Sequence, residues 1–302
     1  MLAQANHISI GASSNIDLVK CRLMSDLKEL EGCGLQLQIE ESPAGKYTFL
    51  SCRVSGQEQC LSNDEDTLDL FKNYVAEVLS DLIICKWQKN ILVDIIRENY
   101  YYFGEDERKT IFQNALRYLE DYEAGESSPV IRMRKKRRIL SKLREFLASY
   151  DQIVVEGFIR FRLKEYIKEL QEAADKAVDD FLMDREYKEF IQLLRYFVDI
   201  QDSRTDVVNV VMKPNGSFML YDGQEKVINS SYLEGFIFDL IENEINYEDL
   251  LISALITIAP REILFHAEKD HNNPGTLETI RNIFTNRVSV CSGCDLCTPP
   301  KT

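Results

Sequence analysis

Gly157-Phe158-Ile159-Arg160-Phe161-Arg162-Leu163-Lys164-Glu165-Tyr166 stands near the middle of a 302-residue chain, and the rest is read outward from it. Its apolar residues Ile159, Leu163 and Tyr166, continued by Ile167 and Leu170, recur at steps of three and four. That is the stripe of an amphipathic helix. Arg160, Arg162, Lys164 and Lys168 lie among them. A cationic helix inside a chain of net charge −14 predicts acidic partners for Arg162 or Lys164. Buried cations persist only when paired and hydrogen-bonded.

Downstream, the helix is expected to run from an Asp151 cap towards Met183, with a further helix over Glu186 to Asp199. The character then changes. Val207 to Val211 is β-branched, Pro214-Asn215-Gly216 is a strong turn signal, and Phe218 to Tyr221 answers as a second strand. Lys226-Val227-Ile228 adds a third short strand. Tyr232 to Asn243 and Tyr247 to Ile258 read as apolar-striped helices, the second ended by Pro260. Glu262 to His266 is a strand, Thr276 to Phe284 a helix and Arg287 to Val290 a strand. A strand, helix, strand order predicts a βαβ unit with parallel strands.

Upstream, a basic run opens a helix whose apolar face is Ile139, Leu140, Leu143, Phe146 and Leu147. Turn residues from Ala124 to Pro129 precede it. Helical periodicity also fills Asp64 to Phe103, capped by Ser62 or Asn63 and closed by Gly104, and Glu105 to Glu123. Ahead of these, His7 to Ile10 alternates like a strand, and Asp17 to Glu31 is a helix stopped by Gly32 and Gly34. Leu35 to Ile39 and Tyr47 to Val54 pair as a hairpin. The fold class is therefore α+β: a small N-terminal β-α-β-β unit over 1–62, a helical region over 63–203, and a C-terminal β-hairpin plus βαβ layer over 204–302.

Composition narrows the setting. Hydrophobic residues make up 45% and charged residues 28%, the balance of a globular protein rather than a disordered one. Met1 to Ile10 lacks a basic stretch followed by an apolar core, so no secretory signal is expected. The longest apolar run, Leu250 to Pro260, is too short to span a bilayer. Eight cysteines, three of them within the last twelve residues, fit a reducing cytoplasm better than a disulfide framework.

The ending carries the clearest chemistry: Val290-Cys291-Ser292-Gly293-Cys294-Asp295-Leu296-Cys297. Three cysteines spaced C-x2-C-x2-C, with Gly293 letting the backbone curl, can aim three thiolates at one point. The spacing matches the first three ligands of a bacterial ferredoxin run, without the fourth cysteine before proline. If the βαβ unit forms, Cys291 leaves its strand beside the end of Glu262 to His266, and His266 becomes the fourth ligand. The metal is then an Fe–S cluster or a Cys3His zinc ion; the bland alternative is a reduced tail that binds nothing. Cys21, Cys33, Cys52, Cys60 and Cys85 are irregularly spaced and read as small buried hydrophobes. His7 and His271 stand alone.

Electrostatically, Arg132 to Arg144 holds eight cations and no acid, which leaves −22 on the rest of the chain. Arg134, Lys135, Lys136, Arg137 and Arg138 could neutralise phosphates and bind nucleic acid through this basic helix, 132–144, or meet an anionic membrane surface. The competing expectation, which we favour, is a solvated face paired with acidic helices such as Glu105 to Glu107 or Glu120 to Glu123. Tyr100 to Phe103 could stack bases but reads better as core. No Ser/His/Asp order, P-loop, G-x-G-x-x-G or H-E-x-x-H sequence is present.

Arg97 to Phe103, Gly157 to Tyr166, the Pro214-Asn215-Gly216 hairpin and the Cys291, Cys294, Cys297 ending together resemble the YtxC-like sporulation proteins of endospore-forming bacteria. The resemblance covers nearly the whole chain. It implies a bacterial cytoplasmic setting and a link to spore formation, and no reaction. The expectation is a cytoplasmic, sporulation-associated, non-enzymatic factor that carries a C-terminal metal or redox centre and works through a protein partner. Nucleic-acid binding by the basic helix is the rival reading, and an enzyme of unknown reaction the third.

Overall fold

The computed structural model describes residues 7–25, 35–56, 64–124, 128–213, 217–228, 247–266, 274–294 and 296–297. The expected helix over 232–243, the Pro214-Asn215-Gly216 turn, the caps at Ser62 and Asn63, and Cys33, Cys60 and His271 lie outside those residues. The described chain is α+β, with two mixed four-stranded sheets. It divides into two compact units, Met1–Leu182 and Met183–Thr302. Among the described residues no helix is long and apolar enough to cross a membrane.

In the first unit, β1 (His7–Ala12) buries Ile8 and Ile10 in strict alternation and lies between two neighbours. It pairs antiparallel with β3 (Tyr47–Gly56) and parallel with β4 (Gln152–Val154). β2 (Leu35–Ala44) completes the order β2-β3-β1-β4. The β2–β3 turn uses Gly45 at φ 64°, a conformation that costs glycine little. Gly11 is required for a different reason: a Cβ there would meet the Phe49 ring at 2.4 Å.

Helix α1 (Ile16–Ser25) follows β1, and the expected β-α-β-β order is present. The helical layer begins with α2 (Asp64–Leu82), a π turn at Ile83–Trp87, and α3 (Gln88–Asn99). The sequence reads this as one helix to Phe103. The extra residue of the π turn lets Ile83, Ile84 and Trp87 all bury. Past Asn99 the chain turns, burying Phe103 and leaving Tyr101 and Tyr102 exposed. Helices α4 (Glu105–Ala124) and α5 (Ser128–Ser149) follow. The helices and the sheet share one core, from Ile8 and Leu50 to Phe71, Trp87, Leu143 and Phe158.

The central stretch differs from expectation in three ways. Residues after Asp151 form β4, not a cap; at three residues this strand is too short to show periodicity. Helix α6 (Val155–Arg162) then ends at Leu163, whose φ −107°, ψ 43° breaks the helical path before α7 (Lys164–Ile200) begins. Finally, α7 runs unbroken where two helices were expected, because Met183-Asp184-Arg185 contains neither glycine nor proline. The predicted stripe is buried at Phe158, Ile159, Leu163 and Tyr166. Among the described residues Arg162 has no ion pair; its guanidinium lies over the Phe146 ring, 5.9 Å from the centroid.

The second unit holds β5 (Val207–Met212), β6 (Phe218–Asp222), α8 (Tyr247–Ile258), β7 (Glu262–His266), α9 (Pro274–Phe284) and β8 (Val288–Val290). The sheet order is β6-β5-β7-β8, with β5, β7 and β8 mutually parallel along the ladder. The expected βαβ unit is therefore present. Arg287 falls in a 3-10 turn rather than in β8, and Val227 forms a single bridge to Tyr221 rather than a third strand. Val208, Val210, Leu251, Leu255, Ile263, Phe265, Ile280 and Phe284 form the core.

Candidate metal centre

Parallel neighbours end on the same edge of a sheet, so β7 and β8 deliver their last residues side by side. Cys291 continues the ladder by one rung, its N–H donating to the Phe265 carbonyl at 2.8 Å. The next residue on β7 is His266, 2% exposed. Gly293, at φ 129°, then folds the chain back, a backbone state that side chains other than glycine rarely adopt. A turn closed by the Cys297 N–H on the Cys294 carbonyl at 3.0 Å brings both sulfurs round.

The result is a convergence of four ligand atoms. His266 Nδ1 lies 3.3 Å from Cys294 Sγ and 3.4 Å from Cys297 Sγ, and those sulfurs stand 3.9 Å apart. With Cys291, all four lie within 4.8 Å of one another, a group that could hold a metal ion. A tetrahedral zinc ion with bonds of about 2.3 Å to sulfur and about 2.05 Å to nitrogen needs edges of about 3.8 Å and about 3.5 Å. The three edges among His266, Cys294 and Cys297 fit those figures, and the Cys291 sulfur lies within 4.8 Å of each of the other three atoms. In a [4Fe–4S] cluster each cysteine binds its own iron, which spreads the sulfurs farther apart than a shared ion does.

The electrostatics prepare the site unevenly. Burial lowers the pKa of His266 below its ordinary value, opposed by the charge of Glu225. Burial pushes the Cys297 thiol up to about 11, with Cys291 and Cys294 adding to the rise and a backbone hydrogen bond from Cys294 opposing it. At Cys294 burial also acts upward, but hydrogen bonds from the Cys297 and Leu296 backbone and from the Cys291 and Cys297 side chains outweigh it, so its pKa is lowered. Of these two thiols, Cys294 is the readier to become a thiolate. The far side of the imidazole is also engaged: Nε2 lies 3.0 Å from Asn209 Oδ1.

The basic helix is distributed differently. Lys135 is buried, with its ammonium over the Tyr166 ring at 5.8 Å. Lys136 meets Asp81 at 2.7 Å and Glu77 at 3.4 Å, Arg138 meets Glu169 at 2.5 Å and Arg144 meets Glu77 at 3.1 Å. These partners come from α2 and α7; the side chains of residues 121–123, part of the expected acidic stretch, lie outside the described ones. Arg134 and Arg137 are exposed, and among the described residues neither has an ion pair. Of the other cysteines, Cys52 is buried as expected, its thiol pushed up to about 12 by burial. Cys21 and Cys85 are exposed instead, Cys21 on the outer face of α1 and Cys85 in the π turn.

A second polar constellation went unread in the sequence. Glu156, on the first turn of α6, accepts at Oε1 from the N–H and hydroxyl of Ser13, the N–H of Ser14 and the Trp87 indole, all at 3.0–3.2 Å. Its buried Oε2 has no partner among the described residues. Ser13-Ser14-Asn15 between a strand and a helix was the available signal, since such residues satisfy helix-start donors. Asn209 gave none, sitting as one polar residue inside a β-branched strand.

The model of the YtxC-like family matches residues 73–289, nearly three quarters of the chain. The protein called "Uncharacterized protein YtxC" of Bacillus subtilis (strain 168) is 28% identical over 212 residues, 68% of this chain and 72% of that protein. No solved structure matches significantly. The matched region takes in Asn209 and His266 and stops just before Cys291.

Proposed function

The chain belongs to the YtxC-like family, and we propose that it is a non-enzymatic, sporulation-associated cytoplasmic factor whose C-terminal unit is closed by a structural Cys3His zinc centre. One observation carries the metal reading: the ligand atoms of His266, Cys291, Cys294 and Cys297 lie within 4.8 Å of one another. Three soft thiolates with one imidazole suit zinc, and the three edges among His266, Cys294 and Cys297 fit a single tetrahedral ion. Four protein ligands fill that tetrahedron and leave no position for a substrate, which supports a structural role. A reducing compartment keeps the thiols available. The link to sporulation rests on the family resemblance alone.

A protein partner is the remaining part of the reading. Met183, Tyr187, Phe190, Leu193, Tyr196, Phe197 and Ile200 of α7 are each at least 46% exposed. Exposed apolar stripes of that extent commonly mark association surfaces.

The metal reading is tested by metal analysis of full-length protein purified without oxygen. One zinc per chain and a colourless solution is the expected result. Iron with acid-labile sulfide in a brown protein would replace zinc by a cluster. Protein that holds no metal, and takes none up from buffered zinc, would end the proposal.

A further inference from the structure

Beyond the four ligands, and resting on the zinc reading above, we infer that Asn209 is the positioning residue of the centre. It fixes the tautomer of His266 so that Nδ1 presents a lone pair to the metal.

The argument needs only donor and acceptor roles. Asn209 is buried at the middle of β5, 8% exposed, where a polar side chain must find partners. Its amide touches two groups: 2.9 Å separates Nδ2 from the Asp222 carbonyl and 3.0 Å separates Oδ1 from His266 Nε2. The Asp222 carbonyl can only accept, so the atom facing it must be the NH2 group. Hydrogen-bond chemistry alone therefore orients the amide. Oδ1 then faces Nε2 and can only accept, so the ring proton sits on Nε2. A neutral imidazole has one N–H, and Nδ1 is left as the acceptor.

Nδ1 is the atom that faces Cys294 Sγ and Cys297 Sγ at 3.3 and 3.4 Å. The opposite tautomer would aim an N–H at the metal position and block it. Metal-bound histidines commonly donate their other N–H to an oxygen outside the coordination sphere, which fixes the ring and raises its basicity. Here that oxygen belongs to an amide anchored in turn on the neighbouring strand β6. Through this relay the β5–β6 hairpin holds the imidazole at the end of β7 in register with the cysteines.

The test uses full-length protein and cobalt(II) as an optical stand-in for zinc, with zinc affinity from chelator competition. Asn209→Leu removes the acceptor, and zinc affinity should fall about 10- to 100-fold. Asn209→Asp keeps an oxygen facing Nε2 and should recover most of the loss. The metal-free proteins are read separately by nitrogen-15 NMR of the His266 ring. Wild type should show Nε2 protonated and Nδ1 bare, and Asn209→Leu a tautomer mixture. Unchanged zinc affinity in a folded Asn209→Leu protein would overturn the inference while leaving the zinc reading intact. So would a wild-type ring protonated at Nδ1. If wild type binds no zinc at all, the zinc reading fails, and the Nε2–H signal still shows whether Asn209 sets the tautomer.

Discussion

At the C-terminal ends of β1 and β4, donors from Ser13, Ser14 and Trp87 converge on one carboxylate oxygen of Glu156. At the C-terminal ends of β7 and β8, three thiols and an imidazole converge on one another. The two units therefore use the same device, a pair of parallel strands ending on one edge, to assemble polar side chains from distant parts of the sequence. They differ in what is satisfied. Glu156 arrives as an anion and meets four good donors from its own unit, so the cluster closes on itself and welds the β1–α1 connection to α6. The cysteines meet one another, the His266 imidazole and nearby backbone N–H groups, with His266 Nδ1 3.3 and 3.4 Å from two of the sulfurs and those sulfurs 3.9 Å apart. Glu156 Oε1 is met by donors of its own unit, whereas the four ligand atoms of His266, Cys291, Cys294 and Cys297 form a group that could hold a metal ion.

That contrast is broken or kept first by metal addition. Zinc at a thousandfold its dissociation constant should stabilise the folded second unit by about 4 kcal/mol, since ligand binding to the native state shifts unfolding by mass action. The first unit should not respond. Trp87 is the only tryptophan of the sequence and donates to Glu156, so its fluorescence follows the first unit, while cobalt absorption follows the second. A Trp87 transition that moves with zinc as far as the cobalt-detected one would show the two regions to be one cooperative structure.

The converse change comes next in size. Glu156→Ala leaves the Ser13 and Ser14 N–H groups and the Trp87 indole without their acceptor. Ser13 is exposed and Ser14 half-buried, so water can replace part of what they lose, and losing the acceptor shared with the Trp87 indole should cost about 2 kcal/mol in the Trp87-detected transition. Glu156→Gln should cost less, because an uncharged amide oxygen still accepts. Zinc affinity should be the same in both variants. If Glu156→Ala unfolds at the wild-type denaturant concentration, the cluster is not a joint, and the unpartnered Oε2 gains interest as a ligand contact.

A smaller effect separates the regions by pH. Burial holds His266 below its unfolded pKa of about 6.5. The unfolded chain then binds more protons than the folded one in the interval below that value. Stability tied to His266 is present above about pH 6.5 and is lost as pH falls through the lower folded value. Metal-free protein should show this loss in the second unit as pH falls below about 6.5, and His266→Gln should abolish it. A slope of the opposite sign would mean that the imidazole is stabilised as a cation, which contradicts a neutral ring donating to Asn209.

What was legible beforehand follows the same physics. Cys291, Cys294, Cys297 and His266 could be brought together from sequence because a βαβ unit has one handedness and its strands end together, so a topological rule located the site. Glu156 and Asn209 obey no such rule. Each is a single polar residue whose role exists only once strands distant in sequence lie side by side. The Leu163 break and β4 were missed because helical periodicity passes through both without interruption. The π turn was missed because it preserves the apolar stripe while inserting a residue. Charge composition predicts pairing for the basic helix but not which neighbour supplies it, and Glu77 and Asp81 of α2 and Glu169 of α7 carry no sequence signal for that role.

The smallest effect concerns that basic helix, where the contrast between closed and open regions is least secure for the first unit. Lys135, Lys136 and Arg138 are occupied by Tyr166, Asp81 with Glu77, and Glu169. Arg134 and Arg137 are exposed, so they are the residues left to meet an outside polyanion. Replacing both with Ala should change stability by no more than about 0.5 kcal/mol, as for exposed charges generally. If the helix binds duplex DNA, the loss of two phosphate contacts should shallow the slope of log affinity against log salt by about 1.8. We expect no such binding in the wild type. The net charge of −14 repels a polyanion, and most of the cations are already paired within the unit. Titrating labelled duplex at two salt concentrations decides it. Micromolar affinity that collapses with salt, and weakens further in the double variant, would make the basic helix a nucleic-acid surface and the first unit as open to a ligand as the second.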